Sequence, residues 1–388
     1  MSPGSDSWNL DMSREEAEEQ KARHAAETGA ETDPLAAAVD EFEASGMNPF
    51  GVFLTEWKEA NDRAESTVRK YERVFEQWID HMLEQDRHPA CPHTRHVTAF
   101  IDRLLDVGPY EPDPTPNSPN TVQGKLTKLV TWYGWMQSSA GNPHYTNEFN
   151  PFDKGRGLRE ARLESGEGRS FPHITTADLR DALSDVTHIR DRALLVLMLK
   201  LGLRAGEVRN MRLSEVDIQH TDLQDHYAEM GEHSELDGRE NAVYVPHDRE
   251  GNKSDQPRVL PLDRETRDVL RTYLVIRPDV DAPQVFLSVH GNKLTHSDIN
   301  RNTWREAFEG TGTRGARDVT SHFGRHFFSN YWETKLAEED LPLKYAQYLR
   351  GDKISATKFK NYSIDDYLRA HYEDVEPVYR EHMFSLRL

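Results

Sequence analysis

The stretch GLRAGEVRNM, Gly202–Met211, comes directly after the apolar run ALLVLMLKL. Gly202 ends the helix expected over 192–200, and Arg204 then stands near the start of the next one. Glu207, three residues on, shares a face with Arg204 and is placed to orient it. Taken alone this is a surface Arg–Glu pair, the commoner reading of such a spacing. Its weight comes from three further stretches downstream.

SHFGRHFFSNYW, residues 321–332, sets His322 and Arg325 three apart on one helical face, with Thr320 or Ser321 expected as the cap. A helix start carrying His and Arg suits an anion, whereas the Phe323, Phe327 and Phe328 stripe is core material. Between the two stretches, AVYVPHDREGNKSDQPRVLPL reads as two strands around a polar turn that carries Lys253. Near the end, NYSIDDYLRAHY (361–372) holds Tyr362, Tyr367 and Tyr372.

The order GLRAGE, hairpin Lys before RVLPL, HFGRH, then a Tyr resembles the tyrosine recombinase (phage integrase) family. Each motif is weak alone; four in order over about 165 residues are specific. The resemblance implies that Arg204 and Arg325 clamp a scissile phosphate. It implies that Lys253 protonates the leaving 5′ oxygen, that His322 bonds the phosphate or assists proton transfer, and that Glu207 and His326 support them. Paired Arg forks suit a transition state with charge spread over equatorial oxygens, and an alkoxide leaving group needs a proton. No carboxylate cluster for Mg²⁺ is visible and the family uses no cofactor, so none is expected.

The chain departs from the family at YLRGDKIS, where Asp352 replaces a His. An anion there repels a phosphate, unless Lys353 substitutes for the imidazole or Asp352 points away. For the nucleophile, Tyr367 is the first choice. Ser363 with Asp366 makes a capping box, which puts Tyr367 in the first turns of a helix. Arg369 would take the His position of the family's Y-x-H tail. Tyr362 lies nearer the family's spacing from Gly351–Asp352 and is the second choice. Tyr372 reads as packing.

The fold class implied is mainly α with a small β-sheet: a helical core-binding domain followed by a mixed α+β catalytic domain. Residues 1–45, with 12 acids against 3 bases, read as a disordered acidic tail. Residues 46–148 read as the helical DNA-binding domain. Ser66 is a candidate cap there, and Val68, Tyr71, Phe75, Trp78, Ile79 and Met82 form a stripe. Arg69, Lys70, Lys125 and Lys128 are its candidate phosphate contacts, although solvated helix faces explain them equally well. Residues 149–170, rich in Gly and Arg, read as a linker, and 171–388 as the catalytic domain with a polar insertion at 219–240.

Two other patterns carry less. GTGTRG (310–315) fits a dinucleotide fingerprint but comes after a helix rather than a strand. His88, Cys91, His93 and His96 cluster, but Pro89 and Pro92 break metal-site spacing, so no metal is expected.

The formal net charge of −19 at first argues against a phosphate-binding surface. Of the 48 basic residues, however, 14 are Lys and 34 Arg, and Arg is the better phosphate fork. A Lys-poor acidic surface also fits a protein of concentrated salt. One cysteine excludes an intramolecular disulfide and suits a reducing cytoplasmic, nucleoid-associated setting. No apolar run is long enough for a membrane span.

The expected activity is therefore site-specific breaking and rejoining of double-stranded DNA, by a homotetramer on two DNA sites, through a 3′-phosphotyrosyl link. A non-cleaving DNA binder of the same fold and a type IB topoisomerase are the alternatives.

Overall fold

The computed structural model describes residues 35–61, 65–109, 115–164, 173–309, 319–352 and 370–388, with isolated positions before 35. The chain divides into two compact units, Met1–Gly168 and Arg169–Leu388.

The first unit is built from helices α1 (Ala36–Ser45), α2 (Pro49–Asn61), α3 (Glu65–Glu84), α4 (Thr94–Asp106), α5 (Pro119–Ser138) and α6 (Pro151–Leu158). The apolar stripe of α3 is buried at Val68, Tyr71, Val74, Phe75, Trp78 and Met82, as its period requires. The core is aromatic: Phe50 stacks on Trp132 at 4.2 Å and Trp78 meets Phe152 edge-on at 4.9 Å. Ser118 caps α5 with Pro119 in its first turn, where a missing N–H costs nothing.

Three expectations change here. The segment read as a disordered tail ends in an ordered helix, because Leu35 and Phe42 are buried and Asp33 pairs with Arg87 at 2.9 Å. Ser66 does not cap α3, which already includes Glu65. The stretch read as a linker contains α6: Asn150 accepts from the Phe152 and Asp153 N–H groups, and Phe152 and Leu163 are buried in the first unit's core.

His88, His93 and His96 serve the backbone. His88 Nδ1 accepts from the Ala90 N–H, and His93 and His96 cap α4 reciprocally. Cys91 is buried, which pushes its thiol up to about 12. Among the described residues no group of His, Cys, Asp and Glu is disposed to hold a metal ion, and no helix is long and apolar enough to cross a membrane.

The second unit is arranged around α8 (Ile189–Leu201), buried at every position from Ala193 to Leu201. A helix apolar on all sides belongs inside a core, and α8 packs against α11 (Arg264–Ile276) and α12 (Ser321–Glu338). Its one buried charge, Lys200, is paired with Asp263 and, at 2.7 Å, with Glu265. Glu265 also accepts from the Leu386 and Leu388 N–H groups and so ties down the C-terminal segment.

Around these helices run α7 (Thr176–Ser184), α9 (Ala205–Asn210), α10 (Thr221–His226), a π-helical turn over Asp298–Arg305, α13 (Lys344–Arg350) and α14 (Tyr372–His382). Strands β1 (Ala242–Val245) and β2 (Arg258–Pro261) form the expected antiparallel hairpin, with Val243 opposite Leu260 and Val245 opposite Arg258. The insertion at 219–240 is polar on its outside only; Leu223, Tyr227 and Met230 join the core. The fold is thus mainly helical with a small two-stranded sheet.

Candidate active site

Arg204 stands at the N-terminus of α9, where its backbone N–H donates to Glu207 Oε2 at 2.9 Å and its Nη1 to Oε1 at 3.3 Å. The sequence spacing of three is what lets one carboxylate accept from both groups of Arg204. Glu207 is fully buried and also accepts from Arg258 Nη2 at 3.1 Å. Burial alone raises the Glu207 carboxyl. Arg258, the Arg204 N–H and Arg325 overrule it and hold the group below the usual carboxylate range.

Arg325 projects from the first turns of α12. Its Nη1 donates to the Gly202 carbonyl at 2.8 Å, and its Nη2 to the Arg350 carbonyl at 2.7 Å and Asp352 Oδ1 at 3.0 Å. It is nearly fully buried; burial first, then Arg204, lowers its guanidinium to about 10, still cationic at neutral pH. Arg204 Nη2 lies 3.9 Å from the same Asp352 oxygen. Arg204 and Arg325 therefore converge on one acceptor point.

The N-terminus of α12 is held from elsewhere. Thr320 occupies the cap position without a side-chain bond, and Ser321 lies inside the helix. The acceptor is Asn300 Oδ1 on the π-helical turn, which takes the Ser321 N–H at 3.0 Å and hydroxyl at 2.5 Å. His322 and His326 come next on α12 with Nε2 atoms 3.0 Å apart, so one must donate and the other accept. Burial, then Arg325 and Arg204, pushes His322 down; burial and His322 push His326 down.

Lys253 is exposed in the loop between β1 and β2. That loop is docked on α9. Asn210 Nδ2 donates to the Glu250 carbonyl at 2.8 Å and to Asn252 Oδ1 at 3.1 Å, and Arg249 pairs with buried Glu215. A Cβ on Gly206 would lie 2.1 Å from the Gly251 carbonyl oxygen, so only glycine allows this approach. The loop that carries Lys253 and the helix that carries Arg204 are in direct backbone contact.

The nucleophile candidates Tyr362 and Tyr367 lie outside the described residues, as do Lys353, Arg369, the Ser363–Asp366 box and GTGTRG. Tyr372 opens α14, buried, with Arg239 over its ring at 5.1 Å. Asp352 does not point away; it faces Arg325. Arg258, Arg350 and Asn300 escape the sequence reading. Arg258 has a signal in retrospect, a charge in an otherwise apolar strand, but its partner Glu207 is 51 residues away.

In the first unit, Lys70, Lys125 and Lys128 form a run. Burial, then Lys128, lowers the Lys125 ammonium; burial, then Lys70, lowers Lys128. Lys125 Nζ donates to Asn117 at 2.5 Å and Lys128 Nζ to the Gly124 carbonyl at 2.8 Å. Arg69 is exposed, 3.8 Å from Glu65.

The sequence pattern of the phage integrase family matches residues 173–367 of this chain. The chain belongs to that family. This phage integrase family member is 29% identical over 195 residues to tyrosine recombinase XerD of Lacticaseibacillus casei, covering 49% of this chain and 56% of the relative. It is 26% identical over 215 residues to tyrosine recombinase XerA of Thermococcus kodakarensis, covering 54% of this chain and 65% of the relative. Both alignments span less than two thirds of the relative's own length. Among solved structures, the Tn1549 transposon integrase in complex with transposon right end DNA superposes with a TM-score of 0.52 at 16% identity. That match covers 86% of this chain and 99% of the other. XerH bound to a palindromic difH substrate superposes at 0.50 with 12% identity, over 83% and 80%. At such identity these likenesses establish the tyrosine-recombinase fold.

Proposed function

We propose that this phage integrase family member is a site-specific DNA recombinase that breaks and rejoins double-stranded DNA through a 3′-phosphotyrosyl intermediate. The observation that carries the reading is the convergence of Arg204 and Arg325, on two different helices, on one acceptor point, with Glu207 and Arg258 buried behind them. Two guanidiniums held this way suit the non-bridging oxygens of a phosphodiester, and fixed charges of that kind stabilise a transition state at little reorganisation cost.

The Tyr367 oxygen, with Tyr362 as second choice, attacks phosphorus and loses its phenolic proton. The bond from phosphorus to the 5′ oxygen breaks, and that oxygen takes a proton from Lys253. His322, kept neutral by its surroundings, exchanges protons or bonds the phosphate, with His326 behind it. A 5′ hydroxyl of a second strand reverses the sequence, so bond energy is conserved and no cofactor is needed.

The first unit is the DNA-binding domain, and Arg69, Lys70, Lys125 and Lys128 contact backbone phosphates. The working assembly is four protomers on two DNA sites. The test uses a nicked duplex taken from sequence flanking the gene, in molar KCl, and then mass spectrometry of the protein–DNA adduct. An adduct on Tyr367, lost in Tyr367→Phe and Arg325→Ala, is expected. An adduct on Tyr362 moves the nucleophile and keeps the function. Tight binding to a verified site without any adduct refutes strand transfer.

A further inference from the structure

The acceptor point shared by the two arginines is filled by the protein's own carboxylate. Asp352 Oδ1 lies 3.0 Å from Arg325 Nη2 and 3.9 Å from Arg204 Nη2, while Oδ2 lies 3.0 Å from Arg350 Nε. We propose that Asp352 is a built-in competitor for phosphate: its carboxylate holds the arginine pair in register and must turn out before a phosphodiester is clamped. This rests on the reading of Arg204 and Arg325 as a phosphate clamp.

The backbone at this point is fixed. Gly351 ends α13 with a φ of 66°, and a Cβ there would lie 2.6 Å from Arg258 Nη1. The Gly351 carbonyl accepts from the Asp255 and Gln256 N–H groups at 2.9 and 3.2 Å, and the Asp352 N–H donates to the Gln347 carbonyl at 3.1 Å. The Asp352 side chain, by contrast, is about a quarter exposed, and its second oxygen already lies beside Arg350, itself 38% exposed. A rotation about the Asp352 side chain that gives up Arg325 and Arg204 can keep Arg350 as partner without unfolding the turn.

Charge counting explains why the exchange matters. Setting aside Arg350, which shares the Asp352 carboxylate, Arg204, Arg258 and Arg325 are balanced by Glu207 and Asp352 to a single net positive charge. With Asp352 turned out, two charges face one phosphate. A ligand shifts such an equilibrium only by its preference for one state, so the affinity for anions measures the competition directly.

The experiment titrates the full chain with inorganic phosphate and reads thermal unfolding, since an anion bound only to the native state raises Tm by a known law. Asp352→Asn keeps the shape and removes the charge, and is expected to bind phosphate at least tenfold more tightly than the natural chain. Adding Arg204→Ala to Asp352→Asn is expected to abolish the gain. Asp352→Ser is measured alongside, so that poor folding of one variant decides nothing. A residue that merely supported the site would weaken binding when replaced, so tightening is a result that structural support does not produce.

Unchanged or weaker phosphate binding in the folded variants overturns the proposal, and so does a gain that survives Arg204→Ala. The adduct assay separates the two readings. Adduct formation without tightening refutes only the competitor. Tightening without adduct, on a verified site, refutes strand transfer and leaves the carboxylate's displacement by an anion standing.

Discussion

The two units bury their interiors by opposite means. The first packs rings: Trp78, Trp132, Tyr133, Phe100 and Phe152 are all fully buried, and among its described residues no Asp, Glu, Lys or Arg is fully buried. The second also has an apolar core, but it encloses Lys200, Glu207, Arg258 and Arg325, each nearly or fully buried. Burying rings is favourable in proportion to area. Burying charges costs desolvation that only close pairing offsets. A site placed among buried ion pairs is rigid and preorganised, and the same pairing makes it intolerant of losing any one member.

Breaking the second unit at its cation pair gives the largest expected effect. Arg325→Ala removes one of the two proposed phosphate forks, and adduct formation is predicted to fall by about 10³-fold or more, as for other arginines that neutralise phosphoryl transfer; quantifying adduct on a gel against time checks it. Next comes a matched pair. Glu207→Ala leaves Arg258 buried without its carboxylate, and Trp132→Ala empties a ring site in the first unit. Each should cost roughly 3–5 kcal/mol in denaturant unfolding.

Acid separates the two. The folded Glu207 carboxyl is held below its usual value. Its contribution is complete above the unfolded carboxylate range and disappears as pH falls through the folded value. The cost of Glu207→Ala should therefore shrink in acid, while the cost of Trp132→Ala does not depend on that group. An equal pH response for both variants would show that the second unit is held by area alone.

A smaller effect sharpens the contrast at milder pH. Burial lowers His81 and His144, and burial with Arg95 lowers His96 to about 4. Groups lowered on folding stabilise fully above their unfolded value near 6.5, and that stability is lost as pH falls from there. Hydrogen exchange read peptide by peptide should show α4 losing protection between about pH 6.5 and 4, and α3 and the segment around His144 losing it as pH falls below about 6.5. Lost caps are the smallest change proposed: Ser118→Ala should cost about 1 kcal/mol and fray the start of α5 alone.

The same contrast explains what is legible in the sequence. Helices of the first unit show their stripe over short range, so periodicity alone places Val68, Tyr71, Phe75 and Trp78 inside. Motif order likewise points to Arg204 and Arg325, and β1 and β2 emerge from two mostly apolar runs around a polar turn. Composition misleads where a few apolar residues outweigh many polar ones. Phe152 and Leu163 anchor a stretch that reads as Gly–Arg linker, and Leu35 and Phe42 do the same at the end of the acidic tail. Pairings over long range are beyond reach. Arg258 meets Glu207, Asn300 caps α12, and Asp352 turns toward Arg325, each because elements far apart in the chain are neighbours in the fold.

Gly206 is the point where α9 and the β1–β2 loop touch, with no room for a single methyl group between them. Mechanically, Lys253, the proposed proton donor, and Arg204, one proposed half of a phosphate clamp, ride on one part. Whatever tilts that helix on meeting a duplex carries the lysine loop with it. On those proposed roles, acid and clamp arrive together or withhold themselves together, and a strand would not be gripped without the means to release it.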